Sequence, residues 1–445
     1  MTSDSTFGYA QTDDGVYIGY RVDGDGPIDI ASQSDWPGNI DLEWLEPFGG
    51  AILGALASFS RVITHDPRGI GLSSRNVELP SLEVRVSDLM TVLNTVGVRR
   101  PVLLGYLATG AVNILTAATR PRIPRAIVWM EPNPRAAWAE DFPWGERPED
   151  HASELEFIDL WGTAAYGKAF VEDQEAGGNI MPTEMAAAFA MASRGACTPD
   201  VARKMLDIWY EIDVSAILES VTSPTLLLVH EDRKDSVDIA EYVASRMPAA
   251  EVRRMPGDAW TFEEIPAWAE QVRDFIGIEQ PAATPNTLLA TVLFTDIVDS
   301  TAKQASLGDR AWKDLVLAHH ALVRDGLTRW HGVENDTAGD GFYATFDGPA
   351  RAIRCAMEVA ERVRDLGIEI RAGVHTGECE VIENKCSGLT VSIGARVASN
   401  ADPSEVLVSQ TVRDLVAGSG LTFEDAGERE LKGVPDRWHL YRVVS

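Results

Sequence analysis

Up to about residue 280, short continuous apolar runs alternate with longer amphipathic segments. The runs at residues 101–107, 125–131 and 224–230 are almost wholly apolar, which is typical of strands buried on both faces of a sheet. Segments with helical periodicity, such as residues 81–97, separate them. This order predicts a doubly wound, mostly parallel α/β sheet. A helical, tryptophan-bearing stretch at about 135–215 interrupts the alternation and is predicted to form a cap.

A different pattern begins after residues 278–287, a polar segment rich in Pro, Ala and Thr that predicts an interdomain linker. The chain thus divides into domains at 1–277 and 288–445. In the second domain the apolar pattern predicts strands at 288–298, 333–346 (a hairpin), 368–375 and 405–409, and helices before 332, at 349–366 and at 393–400. This βαββαβ order is typical of an α+β, ferredoxin-like fold.

The charge balance narrows the function classes. The chain has 68 acidic against 39 basic residues and a formal net charge of −29, which argues against a nucleic-acid or anionic-membrane binder because both need a basic face. The N-terminal segment has no signal-peptide pattern, and no apolar window is long enough for a membrane span. We therefore expect a cytoplasmic protein.

Cysteine usage bears on the compartment, and histidine usage bears on metal binding. Four cysteines in 445 residues, with no CxxC pair, are too few for a disulfide framework, so a reducing compartment is expected. The eight histidines form neither an HxH nor an HExxH motif, and the sequence therefore indicates no zinc site.

Two carboxylates carry the candidate chemistry of the second domain. Asp296 lies at the end of the first predicted strand, and Asp340 lies at the turn of the hairpin. A βαββ unit places these strands side by side, and two carboxylates that meet there call for cations such as two Mg²⁺ or Mn²⁺ ions. The helix expected to begin after Asp296 offers free amides and a positive dipole end to a triphosphate at residues Val298, Asp299, Ser300 and Thr301.

Five motifs occur in order through this domain: FTDIVDST, TAGDGFYATFDGPARAIRCA, RAGVHTGE, VSIGARVASNADPSEVLVS and GERELKGV. In order and spacing they resemble class III adenylyl/guanylyl cyclases. The resemblance implies that Asp296 and Asp340 bind both metal ions, with the carbonyl group of Ile297 as a further ligand. It also implies that Arg396 stabilises phosphate charge in the transition state, a role suited to a permanently charged guanidinium. The active site would form between two subunits, so a homodimer is expected.

Three positions depart from the family's pattern. The purine-selecting lysine is Asp336 here, its usual aspartate partner is Thr390, and the transition-state asparagine is Ser392. Asp336 can accept hydrogen bonds from adenine or from guanine, and Thr390 can donate or accept. The expected function is an adenylyl cyclase that converts ATP to cyclic AMP, with GTP as an alternative substrate. The alternative is a weak or inactive pseudo-cyclase that acts as a binding scaffold.

The first domain resembles an α/β-hydrolase through the motifs RVITHDPRGIGLSS, VLLGYLATGAVNIL, PTLLLVHEDRKDSV and PGDAW. The catalytic groups of that family are missing, because Leu107 stands at the nucleophile position and Trp260 at that of the general base. Asp232, or Glu131 after the preceding strand, is left as a lone candidate acid. We expect an inactive, ligand-sensing domain with a pocket for a small apolar molecule. The alternatives are a structural or dimerising role and a hydrolase with a non-standard nucleophile.

Overall fold

The computed structural model describes residues 5–34, 38–45, 47–176, 184–257, 261, 263–277, 287–382 and 385–444. The chain separates into two compact units, Met1–Thr284 and Pro285–Ser445. Each unit contains its own eight-stranded sheet. The predicted linker at 278–287 lies outside the described residues except for Thr287, which begins a strand.

The first unit is built on a mixed sheet with strand order β1-β2-β4-β3-β5-β6-β7-β8. Its strands are β1 (Thr6–Gln11), β2 (Tyr17–Asp23), β3 (Asp29–Gln33), β4 (Arg61–His65), β5 (Val102–Tyr106), β6 (Ala126–Met130), β7 (Thr225–His230) and β8 (Ala250–Met255). The pairs from β4 through β8 are parallel, while β1, β2 and β4 pair antiparallel. The apolar runs at β5, β6 and β7 are buried strands, and the predicted doubly wound fold is confirmed.

Ten helices accompany this sheet in the described part of the unit. They are α1 (Ile40–Leu45), α2 (Pro47–Ala57), α3 (Leu82–Val96), α4 (Gly110–Thr119), α5 (Pro148–Phe157), α6 (Ala164–Ala176), α7 (Glu184–Ala196), α8 (Pro199–Glu211), α9 (Lys234–Arg246) and α10 (Ile265–Gly277). Four of them, α5 to α8, lie between β6 and β7. They share a buried apolar cluster with Ile70, a residue of the loop that follows β4. The helical insertion thus packs at the end of the sheet where the parallel strands terminate.

The second unit has strand order β10-β11-β9-β12-β14-β16-β15, with β13 paired to β12. Its elements are β9 (Thr287–Ile297), α11 (Ser300–Leu307), α12 (Asp309–Arg329), β10 (Val333–Ala338), β11 (Gly341–Phe346), α13 (Pro349–Arg362), β12 (Ile370–Ile382), β13 (Lys385–Ser387), α14 (Leu389–Ser399), β14 (Val406–Ser409), α15 (Gln410–Leu415), β15 (Phe423–Glu430) and β16 (Arg437–Val443). The α+β prediction is confirmed. Among the described residues, no helix combines the length and apolar character that crossing a bilayer requires.

Helix α13 supplies much of the second unit's core. Pro349 occupies its first turn, where a missing amide proton costs nothing. Small and branched apolar side chains recur every three or four residues and are buried against the sheet, namely Ala352, Ile353, Ala356, Val359 and Ala360. The opposite sheet face receives α14, so the strands that lead to the candidate site are covered on both sides.

Two elements extend several residues beyond their predicted bounds. Strand β12 continues to Ile382 because it pairs with β9 along nearly the whole length of that strand, from Ile370 opposite Ile297 to Glu380 opposite Thr287. Helix α14 begins at Leu389, four residues earlier than predicted. Both extensions depend on partners remote in sequence, which a local pattern does not contain.

We predict that Gly373→Ala destabilises the second unit. Gly373 lies on β12 where α14 crosses it, and an added Cβ would lie 2.1 Å from the backbone nitrogen of Ala398. Because backbone must move to relieve this overlap, the free energy of unfolding should fall by about 1–3 kcal/mol. Chemical denaturation followed by circular dichroism measures the change.

The matched control for that substitution is Gly54→Ala on α2, where an added Cβ meets nothing within 4 Å. Replacing a helical glycine there should leave stability unchanged or raise it by up to about 1 kcal/mol. Equal stability of the Gly373→Ala protein and the wild type would contradict the close crossing of α14 over β12.

Candidate active site

The carboxylates of Asp296 and Asp340 meet at the end of β9. Asp340 lies in the two-residue turn between β10 and β11, and its Oδ2 accepts a hydrogen bond of 3.2 Å from the backbone amide of Ile297. Strand β11 pairs with β9, with Phe342 opposite Thr295, so the turn is held next to Asp296. Burial, followed by the charge of Asp296, raises the pKa of Asp340.

An arginine partly balances this charge. Arg371 on β12 lies opposite Asp296, and its Nη2 is 2.8 Å from the Asp296 Oδ2. The Asp296 side chain is still 40% exposed, so its second oxygen can be reached from solvent. Two neighbouring carboxylates, one at the end of a strand and one in the adjoining hairpin turn, are suited to hard divalent cations.

The backbone after Asp296 turns sharply into α11. Asp299 has a φ of 54°, in the left-handed region that aspartate tolerates better than most residues. The first hydrogen bond of the helix runs from the Lys303 amide to the Asp299 carbonyl at 3.0 Å. The amides that precede Lys303 in the first turn therefore point out of the helix end. Of the four residues predicted to bind phosphate, Val298 differs, because its amide donates to the carbonyl of Glu369 at 2.9 Å. For Asp299, Ser300 and Thr301, phosphate binding stays a prediction.

A groove of about 430 Å³ opens beside the two carboxylates. Its wall includes the stacked rings of Phe294 and Tyr343, whose centroids are 4.7 Å apart. Its lining residues come from β9, β11, β12, α14 and the bulged strand β10, and they are Phe294, Thr295, Asp296, Asp336, Gly341, Phe342, Tyr343, Arg371, Val391, Ala395, Ala398 and Ser399. The structure thus brings Asp336 to the same groove as Asp296.

Three predicted site residues on α14 do not line this groove. Ser392 and Arg396 are one turn apart on the exposed side of the helix. Thr390 is 5% exposed, and its hydroxyl donates to the carbonyl of Glu378 at 2.6 Å. Within one chain, these side chains are therefore separated from the groove that contains Asp336. Their roles in base and phosphate binding stay predictions.

In the first unit, the backbone is strained in the turn after β5, where Leu107 stands at the predicted nucleophile position. We call this turn the elbow. Leu107 has a φ of 45°, one of six non-glycine residues with positive φ in the described part of the chain. Its side chain is 41% exposed, and its carbonyl accepts a hydrogen bond of 2.7 Å from Trp129 Nε1. Thr109 closes the turn by donating to the Tyr106 carbonyl at 2.6 Å. The geometry that presents a nucleophile is present, while the side chain is a hydrocarbon.

Among the described residues, the remaining hydrolase positions do not assemble a triad. Asp232 is an exposed turn residue whose amide donates to the Gly257 carbonyl at 3.1 Å, and Trp260 lies outside the described residues. Glu131, the alternative candidate acid, is not alone as expected, because its Oε1 lies 2.8 Å from His230 Nδ1 in a buried pair at the ends of β6 and β7. Sequence reasoning missed this pairing. Polar residues that end two adjacent apolar runs were the available signal. Arg371 was also missed, although its position follows from the pairing of β9 with β12.

Comparison with known proteins assigns each unit to a class. Residues 284–445 match the family described as the adenylate and guanylate cyclase catalytic domain. The second unit is therefore a class III cyclase domain. A receptor-type adenylate cyclase of Trypanosoma brucei brucei is 26% identical over 204 residues, and an uncharacterized protein of Mycobacterium tuberculosis is 31% identical over 157 residues. Each match covers 34% of this chain, but 16% of the first relative and 54% of the second.

The first unit has the fold of an α/β-hydrolase. The crystal structure of a bromoperoxidase from Bacillus anthracis superposes with a TM-score of 0.53 at 18% identity, covering 61% of this chain and 100% of that one. At this identity the likeness concerns the fold alone. The predicted combination of a hydrolase-like fold and a cyclase domain is confirmed.

We predict that at position 107 glycine gives a more stable protein than alanine, which is the reverse of their usual order in helices and strands. At a φ of 45° a Cβ costs roughly 1–2 kcal/mol, so Leu107→Gly should be more stable than Leu107→Ala by about 1 kcal/mol. The comparison removes the same leucine side chain in both variants. Thermal and chemical denaturation of the two proteins measure the difference.

The control is the neighbouring Ala108→Gly, where the usual order applies and stability should fall by up to about 1 kcal/mol. If Leu107→Ala proved the more stable variant at position 107, the left-handed elbow would be wrong.

Proposed function

We propose that this protein is a homodimeric adenylyl cyclase of the cytoplasm that converts ATP to 3′,5′-cyclic AMP and pyrophosphate. The observation that supports this most directly is the proximity of Asp340 to the end of β9, where Asp296 lines a groove in a class III cyclase domain. The family resemblance provides the reaction class, and the local geometry provides a place for it.

The chain's own groups fit a pair of Mg²⁺ or Mn²⁺ ions. Asp296 and Asp340 would hold them, with the carbonyl group of Ile297 as an additional oxygen ligand. The raised pKa of Asp340 reflects burial and the nearby Asp296 charge, a repulsion that bound cations would relieve. When bound, such ions lower the pKa of a coordinated hydroxyl group and neutralise phosphate charge. Arg371 can maintain the position of Asp296 through their 2.8 Å ion pair.

In the proposed reaction the ribose 3′-oxygen of ATP forms a bond to the α-phosphorus while the bond from that phosphorus to the bridging oxygen breaks. The hydroxyl proton goes to solvent, and pyrophosphate leaves with the bonding electrons. The amides of Asp299, Ser300 and Thr301 would bind the departing phosphates at the start of α11. Arg396 would stabilise the charge that develops on them, and Ser392 would contact the nucleotide through water.

A dimer would complete the site. Arg396 and Ser392 lie on the exposed side of α14, and neither lines the groove of its own chain. In a two-fold assembly, each α14 can present these side chains to the groove of the other subunit. The same reasoning applies to the base contacts of Asp336 and Thr390, which are not brought together within one chain.

We predict that Asp296→Asn abolishes cyclic nucleotide formation. Losing a charge that holds the cations should reduce the rate at least about a hundredfold. The assay incubates the full-length protein with Mn²⁺ and either ATP or GTP and quantifies both cyclic products, with ATP expected as the better substrate. Wild-type protein that forms neither product would favour the scaffold alternative.

Asp325→Asn is the matched control for that experiment. Asp325 is an exposed aspartate of α12 that pairs with Arg362, so its substitution also breaks an aspartate–arginine ion pair but outside the groove. It should retain full activity. A comparable loss in both variants would point to unfolding rather than to a role in the reaction.

We further predict that Asp296→Asn and Arg396→Ala complement each other. In a mixed dimer, one of the two sites combines Asp296 of one subunit with Arg396 of the other and is intact. Random reassortment of equal amounts should restore about a quarter of wild-type activity. Each variant assayed alone should remain inactive, and a mixture as inactive as its components would contradict a shared site.

For the first unit we propose a regulatory role. The elbow keeps its backbone geometry but carries Leu107, which has no nucleophilic atom. A small apolar ligand bound beside Leu107 could change cyclase activity only if it bound two states of the dimer with different affinity. Stable ester turnover by the purified protein would instead favour a hydrolase with another nucleophile.

A further inference from the structure

A cluster of potential metal ligands lies in the helical insertion of the first unit. Glu146 precedes α5, while His151 and Glu154 are three residues apart on α5 and so share one side of the helix. One ligand atom from each of the three residues lies within 4.8 Å of the other two. The nucleotide groove belongs to the other unit, and no residue of this cluster has a role in the proposed reaction.

His151 is oriented as metal-binding histidines are. Its Nε2 is 3.1 Å from Oδ1 of Asp207 on α8, and its ring stacks on Tyr210 with centroids 4.1 Å apart. The residue is 9% exposed, and its Nδ1 is buried without a hydrogen-bond partner among the described residues. Because the Asp207 carboxylate accepts a hydrogen bond from the Nε2–H group, the lone pair lies on Nδ1, which is the ring nitrogen near Glu146.

Glu146 offers a second buried donor atom. Its Oε1 is 3.8 Å from His151 Nδ1, too far for a hydrogen bond, and has no hydrogen-bond partner among the described residues. Metal–ligand bonds of about 2.0–2.2 Å in a tetrahedron place donor atoms about 3.4 Å apart, so small side-chain movements would suffice. Glu154 adds a second carboxylate to the cluster, so a cation there would be attracted to both glutamates.

We propose that Glu146, His151 and Glu154 form a binding site for a divalent transition-metal ion, with Zn²⁺ as the preferred occupant. One imidazole nitrogen and two carboxylate oxygens are ligands that Zn²⁺ accepts, whereas Mg²⁺ prefers oxygen alone. Three protein ligands leave a fourth position for water. Asp207 is a positioning residue that acts through His151, and a bound ion would connect α5, the turn before it and, through Asp207, α8.

The test measures Zn²⁺ binding to the full-length chain by equilibrium dialysis with elemental analysis. The host protein carries Asp296→Asn and Asp340→Asn, so that the cyclase carboxylates do not contribute. We expect one Zn²⁺ per chain. Co²⁺ in place of Zn²⁺ should give visible absorption bands typical of coordination by nitrogen and oxygen.

Substitutions in this host separate the ligands from their surroundings. His151→Gln and Glu146→Gln should each weaken Zn²⁺ binding at least tenfold, and Asp207→Asn about 10–100-fold. Glu156→Gln, an exposed glutamate on the same helix and outside the cluster, is the matched control and should bind as the host does.

A thermal measurement covers the case in which a variant folds poorly. Zn²⁺ should raise the Tm of the host and of the Glu156→Gln protein, and it should not raise that of Glu146→Gln. A host that binds no Zn²⁺ would overturn the proposal. So would equal affinities in the His151→Gln and Glu156→Gln proteins.

Discussion

The chemistry of the second unit depends on one constraint, the hydrogen bond from the Ile297 amide to the carboxylate of Asp340. It ties the hairpin turn to the end of β9 and keeps two acidic side chains adjacent although their charges repel. The central strands β9 and β12 pair over eleven residues and are covered by helices on both faces. Folding energy of the sheet therefore offsets the electrostatic cost of the site, which is how proteins maintain unfavourable functional arrangements.

The first unit shows the same relation between fold and strain in the turn after β5. Two hydrogen bonds stabilise the positive φ of Leu107. Trp129 Nε1 donates to the Leu107 carbonyl, and the Thr109 hydroxyl donates to the Tyr106 carbonyl. A hydrocarbon side chain thus occupies a backbone conformation that is costly for leucine.

The proposed metal cluster shows where motif reasoning is limited. The absence of HxH and HExxH indicated no zinc site, yet Glu146, His151 and Glu154 converge because α5 follows directly after the turn that contains Glu146. The ligand-like orientation of His151 depends on Asp207, which comes from α8 and is remote in sequence. Motif spacing along the chain can reveal the ligands that one helix contributes, but not the residues that come from another part of the fold.

Local pattern determined the class of each unit, because buried parallel strands require continuous apolar runs and a hairpin requires its turn residues. It also determined that Asp296 lies near the end of one strand and Asp340 in the turn of a neighbouring hairpin. Only the tertiary structure decided three contacts. The Val298 amide donates a hydrogen bond to the Glu369 carbonyl, Arg371 forms an ion pair with Asp296, and the Thr390 hydroxyl donates to the Glu378 carbonyl. Those contacts join segments far apart in the chain, and their geometry is set by sheet register and helix packing rather than by the identity of neighbouring residues.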